Sequence, residues 1–217
     1  MPRPPRWRTG PALRAVGLVA LVALGALAAL QCWYLGWVLY YVDHDPRSTA
    51  FMELRRAEGQ SVRHQWVAYG DISPWLKRAV VAAEDARFME HGGFDWEALR
   101  DALRENLEAD RIVRGGSTIT QQLAKNLFLS PRQSIPRKLQ EAAITVMLEL
   151  AMDKRRILEL YLNVIEWGDG VFGAGAAARH YYDRPAWRIG HWRAALLAAR
   201  IPRPRYYDRH GVTGYLV

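Results

Sequence analysis

A short segment before the middle of the chain has the residue types of a general acid or base. It runs from Glu84 to Asp95 and reads EDARFMEHGGFD. On a continuous helix, Glu84, Phe88 and His91 fall at i, i+4 and i+7 and share one face. Apolar neighbours disfavour the charged form of a carboxylate, which raises its pKa and suits it to proton transfer near neutral pH. A helix end with solvated charges is the structural alternative.

A second string has the residue types of an anion site. Residues 115–126 read GGSTITQQLAKN. A glycine pair before Ser117 and Thr118 predicts a helix start whose free N–H groups and hydroxyls can receive an anion, with Lys125 adding charge. The string lacks the Gly-Lys-Ser/Thr spacing of a nucleotide-binding P-loop. Helix capping is the alternative for the hydroxyls, and simple polar satisfaction for the remaining polar residues, Gln121, Gln122 and Asn126.

A third group places two cations beside an acid. Arg137 and Glu141 are four residues apart, and Lys138 and Glu141 are three apart. Surface salt bridges worth about 0.3 kcal/mol each are one interpretation. A cleft that binds phosphate is the other. A fourth string, from Lys154 to Asn163 and on into a glycine-rich turn, is interpreted as structural.

Apolar spacing predicts that these strings lie on helices of an all-α domain. Only Ser61–Tyr69 is predicted as an extended segment. The first predicted helix begins after Ser73 and extends past Phe88 to Gly92, and the second begins at Asp95. The later predicted helices are Ser117–Leu129, Pro136–Met152, Lys154–Trp167, Ala174–Tyr182 and Ile189–Arg200.

The N-terminal segment predicts a membrane anchor. Residues 15–42 contain no charged side chain, and as a helix they would span roughly 42 Å, against about 30 Å of hydrocarbon. Residues 1–14 contain four arginines and no acid, so the positive-inside rule places them in the cytoplasm as a basic tail. Residues 43–217 are then exported. A signal peptide cleaved after Ala28 and a lipoprotein at Cys32 are the alternatives.

Composition bounds the remaining function classes. The chain has 217 residues, 50% of them hydrophobic and 24% charged, which suits one folded domain with an appendage. The single cysteine, Cys32, excludes an internal disulfide framework. Half of the net charge of +8 lies in the basic tail and the rest is dispersed, so nucleic acid is not an expected partner.

In this order and behind such an anchor, the four strings closely resemble the peptidoglycan glycosyltransferase family, which has a lysozyme-like domain. The resemblance runs from about Trp66 to Pro204. With no transpeptidase domain following, the chain resembles the monofunctional biosynthetic transglycosylase branch of that family. The resemblance implies polymerisation of lipid II, a disaccharide-pentapeptide on undecaprenyl pyrophosphate, into glycan strands.

The resemblance also implies roles for residues. Glu84 would be the general base for the acceptor 4-hydroxyl, which attacks C1 of the donor N-acetylmuramic acid with inversion and releases the lipid pyrophosphate. Lys125, Arg137 and Lys138 would stabilise that leaving group. Glu141 would be the second essential acid. The other implied substrate-binding residues are Asp85, Phe88, His91, Ser117, Thr118, Gln121, Gln122, Asn126 and Arg132.

Two positions depart from the family pattern. Gln133 stands where an arginine is expected, so either Arg132 supplies that contact or the contact is lost. Arg193 stands near a position where an acid is common, and the segment after Pro204 is short.

Further expectations concern cofactors and partners. The resemblance implies no required cofactor, and a divalent metal, Mg or Mn, stays an open alternative. Expected partners are lipid II, the growing glycan strand, the membrane, cell-wall synthases and division proteins. The expected location is the bacterial inner membrane, with the N-terminus in the cytoplasm and the catalytic domain in the periplasm.

Two other functions stay open on sequence alone. An inactive anchor protein would bind lipid II without polymerising it, and Gln133 favours that hypothesis. A lytic enzyme of the lysozyme-like fold would shorten glycan strands, but it would not need the cations at Lys125, Arg137 and Lys138.

Overall fold

A computed structural model describes residues 11–111 and 115–211, with side chains from Arg14 onward. Most of the basic tail, residues 112–114 and the C-terminal residues 212–217 lie outside the described residues. The chain divides into two compact units, Met1–Trp37 and Val38–Val217.

The first unit consists, where it is described, of most of helix α1, which runs from Pro11 to Asp43. Its apolar side chains are exposed, as at Val19 and Leu21, which are 70% and 66% accessible. The stretch Arg14–Asp43 has a mean hydropathy of 2.3 and is long and apolar enough to cross a membrane. The helix therefore fits the predicted span by length and composition.

The second unit is mainly helical, and a side-chain cap starts several of its helices. Ser73, Asp95, Thr118, Ser134 and Asp153 each accept a hydrogen bond from a backbone N–H of the first helical turn that follows them. The helices are α2 Ala50–Ala57, α3 Pro74–Glu84, α4 Trp96–Glu108, α5 Ile119–Phe128, α6 Ile135–Ala151, α7 Lys154–Val164, α8 Ala174–Tyr182, α9 His191–Ala198 and α10 Pro204–His210.

The core lies around α5, which packs against both α6 and α7. Leu123 of α5, Ile144 of α6 and Tyr161 of α7 are all fully buried there. Helix α3 lies along α9. These contacts fix the ends of α3, α5 and α6, which carry the three candidate strings.

A small sheet closes one side of this core. Its strands are β1 Arg63–His64, β2 Glu166–Gly168 and β3 Val171–Phe172, in the order β1-β3-β2. β1 is parallel to β3, and β2 is antiparallel to it. The prediction of a helical domain is confirmed, since these strands are short and the extended segment lies where Ser61–Tyr69 was expected.

The predicted continuation of α3 through Phe88 to Gly92 is wrong. The helix ends at Glu84, and Asp85 leaves helical geometry with φ −164° and ψ 75°. Asp85 does so because its carboxylate accepts the backbone N–H of Ile119, at the start of α5. Glu84, Phe88 and His91 therefore do not share a helix face.

The boundaries near the C-terminus also differ from the predictions. Helix α7 ends at Val164 instead of Trp167, because the Asn163 side chain bonds both the N–H and the C=O of Val67. The chain then extends into β2. Helix α10 follows Arg203, where no helix was predicted.

Candidate active site

Glu84 lies at the last turn of α3 and faces α5 and α7. Gln122 Nε2 donates a hydrogen bond of 2.8 Å to Glu84 Oε2. Gln122 Oε1 in turn accepts the hydroxyl of the buried Tyr161 at 2.9 Å. Two elements beyond α3 therefore fix the position of the Glu84 carboxylate.

Burial is the largest influence on Glu84 and raises its pKa above the ordinary value of 4.5. The Gln122 hydrogen bond and the charge of Lys125 oppose this, and the charge of Asp85 adds to it. A raised pKa makes the ionised carboxylate a stronger base. Glu84 thus has the position and the basicity for proton transfer.

Asp85 and His91 form a second pair that holds the loop after α3. His91 Nε2 donates to Asp85 Oδ1 at 2.8 Å, while the N–H of Gly93 donates to His91 Nδ1 at 3.1 Å. The second Asp85 oxygen accepts from Ile119 N at 3.0 Å. All these atoms are used within the protein, so the pair positions the start of α5 beside Glu84.

Three other predicted substrate-binding residues are also buried. Phe88 is 0% exposed and lies below the ammonium group of Lys154, so its ring belongs to the core and not to the cleft wall. Thr118 and Gln121 form a capping box at the start of α5. The Thr118 hydroxyl also donates to the carbonyl of Gly93. Phe88 and Gln121 shape the site without facing it, whereas Thr118 also lines the cavity beside Glu84.

A cluster of cations surrounds Glu141 on α6. Glu141 is 2% exposed, and it accepts from Arg137 at 2.6 Å and from Lys138. Lys138 also donates to the Ser117 hydroxyl at 3.4 Å. Lys125 faces the same cluster, and burial lowers its pKa from 10.5 although the charge of Glu141 opposes that shift. Three cations against one carboxylate leave a positive surplus.

Arg137 keeps one donor unused. Its Nε is buried and has no hydrogen-bond partner among the described residues. A buried donor without a partner costs about 1–3 kcal/mol, and ligand binding is one way in which such a group is satisfied. Because Arg137 Nε has almost no accessible surface, a ligand reaches it only if the Arg137 side chain moves.

Three cavities meet at Gln122. The carboxylate cavity, of about 710 Å³, is lined by Glu84, Asp85 and the 115–118 loop. The phosphate cavity, of about 580 Å³, is lined by Ser117, Lys125, Arg137, Lys138 and Glu141. A third, of about 630 Å³, shares Lys125 with the phosphate cavity and extends to α10. The candidate base and the cation cluster thus lie on adjoining cavities.

Of the two remaining predicted substrate-binding residues, Asn126 lines a cavity of the site and Arg132 does not line the phosphate cavity. Asn126 lines the third cavity, and its Nδ2 donates to the carbonyl of Gln122. Gln133 lines the phosphate cavity, whereas Arg132 is not among the residues that line it. The structure therefore does not bring Arg132 to the position at which it would compensate for Gln133.

One set of residues has metal-ligand chemistry. Ligand atoms of Asp85, His91 and Asp95 lie within 4.8 Å of one another. However, Asp85 and His91 bond each other and the backbone, and both Asp95 oxygens accept from Arg87. As arranged, this set does not fit a metal, because its donor atoms already have protein partners.

Sequence reasoning missed two features of the site. Tyr161 lies in the fourth string, which the sequence indicates as structural; it is buried, but its hydroxyl also orients Gln122. Helix α10 brings Arg205 and Tyr206 to the third cavity, and its sequence gives little signal because seven residues are too few for a periodic pattern.

Comparison with known proteins agrees with this geometry. A family model described as transglycosylase matches residues 50–214. The chain is 58% identical over 186 residues to the biosynthetic peptidoglycan transglycosylase of Laribacter hongkongensis, covering 83% of this chain and 82% of that protein. It is 55% identical over 184 residues to the protein of the same name from Chromobacterium violaceum, covering 82% and 81%. Its identity to the protein of that name from Aromatoleum aromaticum is 52% over 204 residues, covering 91% and 89%.

Proposed function

This chain belongs to the transglycosylase family and is a peptidoglycan transglycosylase of cell-wall biosynthesis, and we propose that it polymerises lipid II with inversion at the donor sugar. The observation that carries the proposal is the junction at Gln122. It joins the cavity of a half-buried carboxylate, Glu84, to the cavity of the cation cluster formed by Lys125, Arg137 and Lys138.

The chemical step follows from these two cavities. Glu84 takes the proton of the acceptor 4-hydroxyl, and the oxygen attacks C1 of the donor N-acetylmuramic acid. The bond from C1 to the pyrophosphate oxygen breaks, and the electron pair leaves with undecaprenyl pyrophosphate. Because attack and departure occur on opposite faces of C1, the configuration inverts.

The cations make protonation of the leaving group unnecessary. Lys125, Arg137 and Lys138 stabilise the charge that develops on the pyrophosphate. The buried Glu141 holds Arg137 and Lys138 in place through hydrogen bonds to both of its oxygens. No step in this scheme passes through a metal.

The anchor fits a substrate whose lipid tail stays in the bilayer. Helix α1 is long and apolar enough to span the membrane. We place the basic N-terminal residues in the cytoplasm and the catalytic unit on the periplasmic side of the inner membrane. This arrangement keeps the enzyme and the lipid-linked substrate at the same membrane surface. Cell-wall synthases and division proteins are candidate partners there.

Polymerisation of labelled lipid II by the purified full-length protein in detergent tests the proposal. Glu84→Gln should reduce the rate by at least about a hundredfold, as expected for loss of a general base. Glu90→Gln is the matched control, since Glu90 is exposed in the loop that follows Glu84 and lines none of the three cavities. It should polymerise at the parental rate.

Other outcomes would select the alternatives. Equal rates for Glu84→Gln and the parent would refute the assignment of the base. Binding of lipid II without polymer would support the inactive anchor. Shortening of pre-formed glycan strands would support the lytic enzyme.

A further inference from the structure

The third cavity has a cationic wall that the proposed reaction does not use. Arg203 and Arg205 line it and are exposed, and neither forms an ion pair with any described residue. Arg209 lines the same wall but is paired with Asp169 at 2.6 Å. Two guanidinium groups are therefore free to bind an external anion.

The acid on the opposite side of this cavity is already neutralised. Glu166 is buried and paired with Arg55 at 2.9 Å, and Arg55 also pairs with Glu58. The cavity thus has a positive surplus from Arg203, Arg205 and Lys125. Guanidinium groups match the geometry of carboxylates and phosphates better than ammonium groups do.

The wall is held in a defined position. Asp208, on the inner side of α10, accepts the N–H of Asp169 at 2.9 Å and bonds His180 Nε2 at 2.7 Å. Tyr207 on the same side is buried. Because these contacts anchor α10 to the turn after β2 and to α8, Arg205 and Tyr206 line the cavity from a fixed helix.

The position of the cavity suggests the occupant. It shares Lys125 and Pro131 with the phosphate cavity and meets the Glu84 cavity at Gln122. A sugar strand whose pyrophosphate is bound at the cation cluster can continue into this space, where Tyr206 is exposed as a surface for a sugar ring. Each repeating unit of such a strand has a peptide stem with carboxylates.

We propose that Arg203 and Arg205 form an anion subsite that binds the peptide-stem carboxylates of the growing strand. The proposal rests on the proposed function, because it takes the strand from that reaction. It makes the third cavity a specificity site for peptide-bearing glycan. The cation cluster at Glu141 remains the site for pyrophosphate.

Equilibrium binding to the full-length protein in detergent tests the subsite. The probes are a glycan tetrasaccharide with two pentapeptide stems and the same tetrasaccharide with its stems removed. Arg203→Gln/Arg205→Gln should weaken binding of the first probe by about threefold to tenfold, as expected for two partly exposed charge pairs. It should leave binding of the second unchanged.

Arg179→Gln is the control, since Arg179 is exposed on α8 and lines none of the three cavities. It should bind both probes as the parent does. Unchanged binding of the peptide-bearing probe to the double variant would overturn the proposal. Equal weakening of both probes would also overturn it.

A third probe distinguishes carboxylate binding by the two arginines from phosphate binding. If the double variant loses affinity for a disaccharide pyrophosphate without peptide, the two arginines bind phosphate and the proposal fails. The proposed function has its own readout, because failure to polymerise lipid II leaves the strand-binding measurement intact. The two hypotheses can therefore fail separately.

Discussion

Glu84 and Lys125 must both be ionised, and so be in opposite protonation states, for the proposed step. Glu84 must be ionised to accept a proton, and burial raises its pKa above 4.5. Lys125 must be protonated to stabilise the leaving group, and burial lowers its pKa below 10.5. The active form therefore exists only between these two pKa values.

We expect a bell-shaped dependence of kcat/KM on pH. Activity should rise as pH increases through the Glu84 pKa and fall as it increases through the Lys125 pKa. Gln122→Leu should move the acidic limb to higher pH, because the Gln122 hydrogen bond lowers the pKa of Glu84. An acidic limb at the same pH in this variant would show that Glu84 does not set it.

Gln133→Arg should strengthen substrate binding. Gln133 lines the phosphate cavity, so an arginine there adds a cation beside Lys125 and Arg137. A charge-assisted contact worth about 1.4 kcal/mol would lower KM about tenfold. The matched variant Gln140→Arg changes the same residue type on α6, outside the residues that line this cavity, and should leave KM unchanged.

The charged residues of the site could be predicted from sequence, but the hydrogen bonds that position the site could not. Glu84, Lys125 and the Arg137–Glu141 group stood in strings with specific chemistry. By contrast, the roles of Asp85 and His91 depend on the loop after α3 and on the backbone of Ile119. Such contacts join distant segments, and local periodicity contains no information about them.

At the scale of elements, Gly93 controls how closely the loop after α3 approaches α6. Its φ is +91°, and a Cβ there would lie 2.8 Å from Thr145 Cγ2 and 2.9 Å from Glu149 Cγ. Gly93 also supplies the N–H to His91 and the C=O to Thr118. One backbone position therefore joins α3, α5 and α6 around the site.

Gly93→Ala should destabilise the fold by about 2–4 kcal/mol, because it combines overpacking with a left-handed backbone. Urea unfolding followed by circular dichroism measures the loss. Gly92→Ala is the neighbouring control, since no atom lies within 4 Å of a Cβ at that position and its φ is not positive. If both variants unfold at the same urea concentration, the close approach of Gly93 to α6 does not contribute to the free energy of unfolding.

Helix starts were easier to predict than helix ends. Ser73, Asp95 and Thr118 have side chains that cap the following turn, so the starts are encoded locally. The ends of α3 and α7 depend on bonds from Asp85 to Ile119 and from Asn163 to Val67. Those partners are far away in sequence.

At the scale of the whole molecule, the uncleaved anchor is the main expectation to test. The stretch Arg14–Asp43 has a mean hydropathy of 2.3, and the full chain has a mass of 24.8 kDa. We expect mass spectrometry of the protein from washed membranes to give the full-length mass. Loss of residues 1–28 would instead support a cleaved signal peptide.

A variant with an arginine substituted into the centre of the anchor provides a second test of whether the helix spans the membrane. Leu24→Arg should reduce the membrane-integrated fraction, because a charge at the centre of a spanning helix costs about 2.5–3.5 kcal/mol. Leu24→Ala is the control and should integrate as the parent does. Equal integration of both variants would mean that this helix does not span the bilayer.

The meeting of three cavities at Gln122 bears on the length of the product. A pocket with a single mouth limits a polymer to what fits inside it, whereas a junction lets a chain enter by one arm and extend into another. The junction at Gln122 then sets no upper limit on the length of the glycan strand. Strand length would depend on how often the chain dissociates between additions, so a change that only weakens binding in one arm would shorten the polymer without slowing each addition.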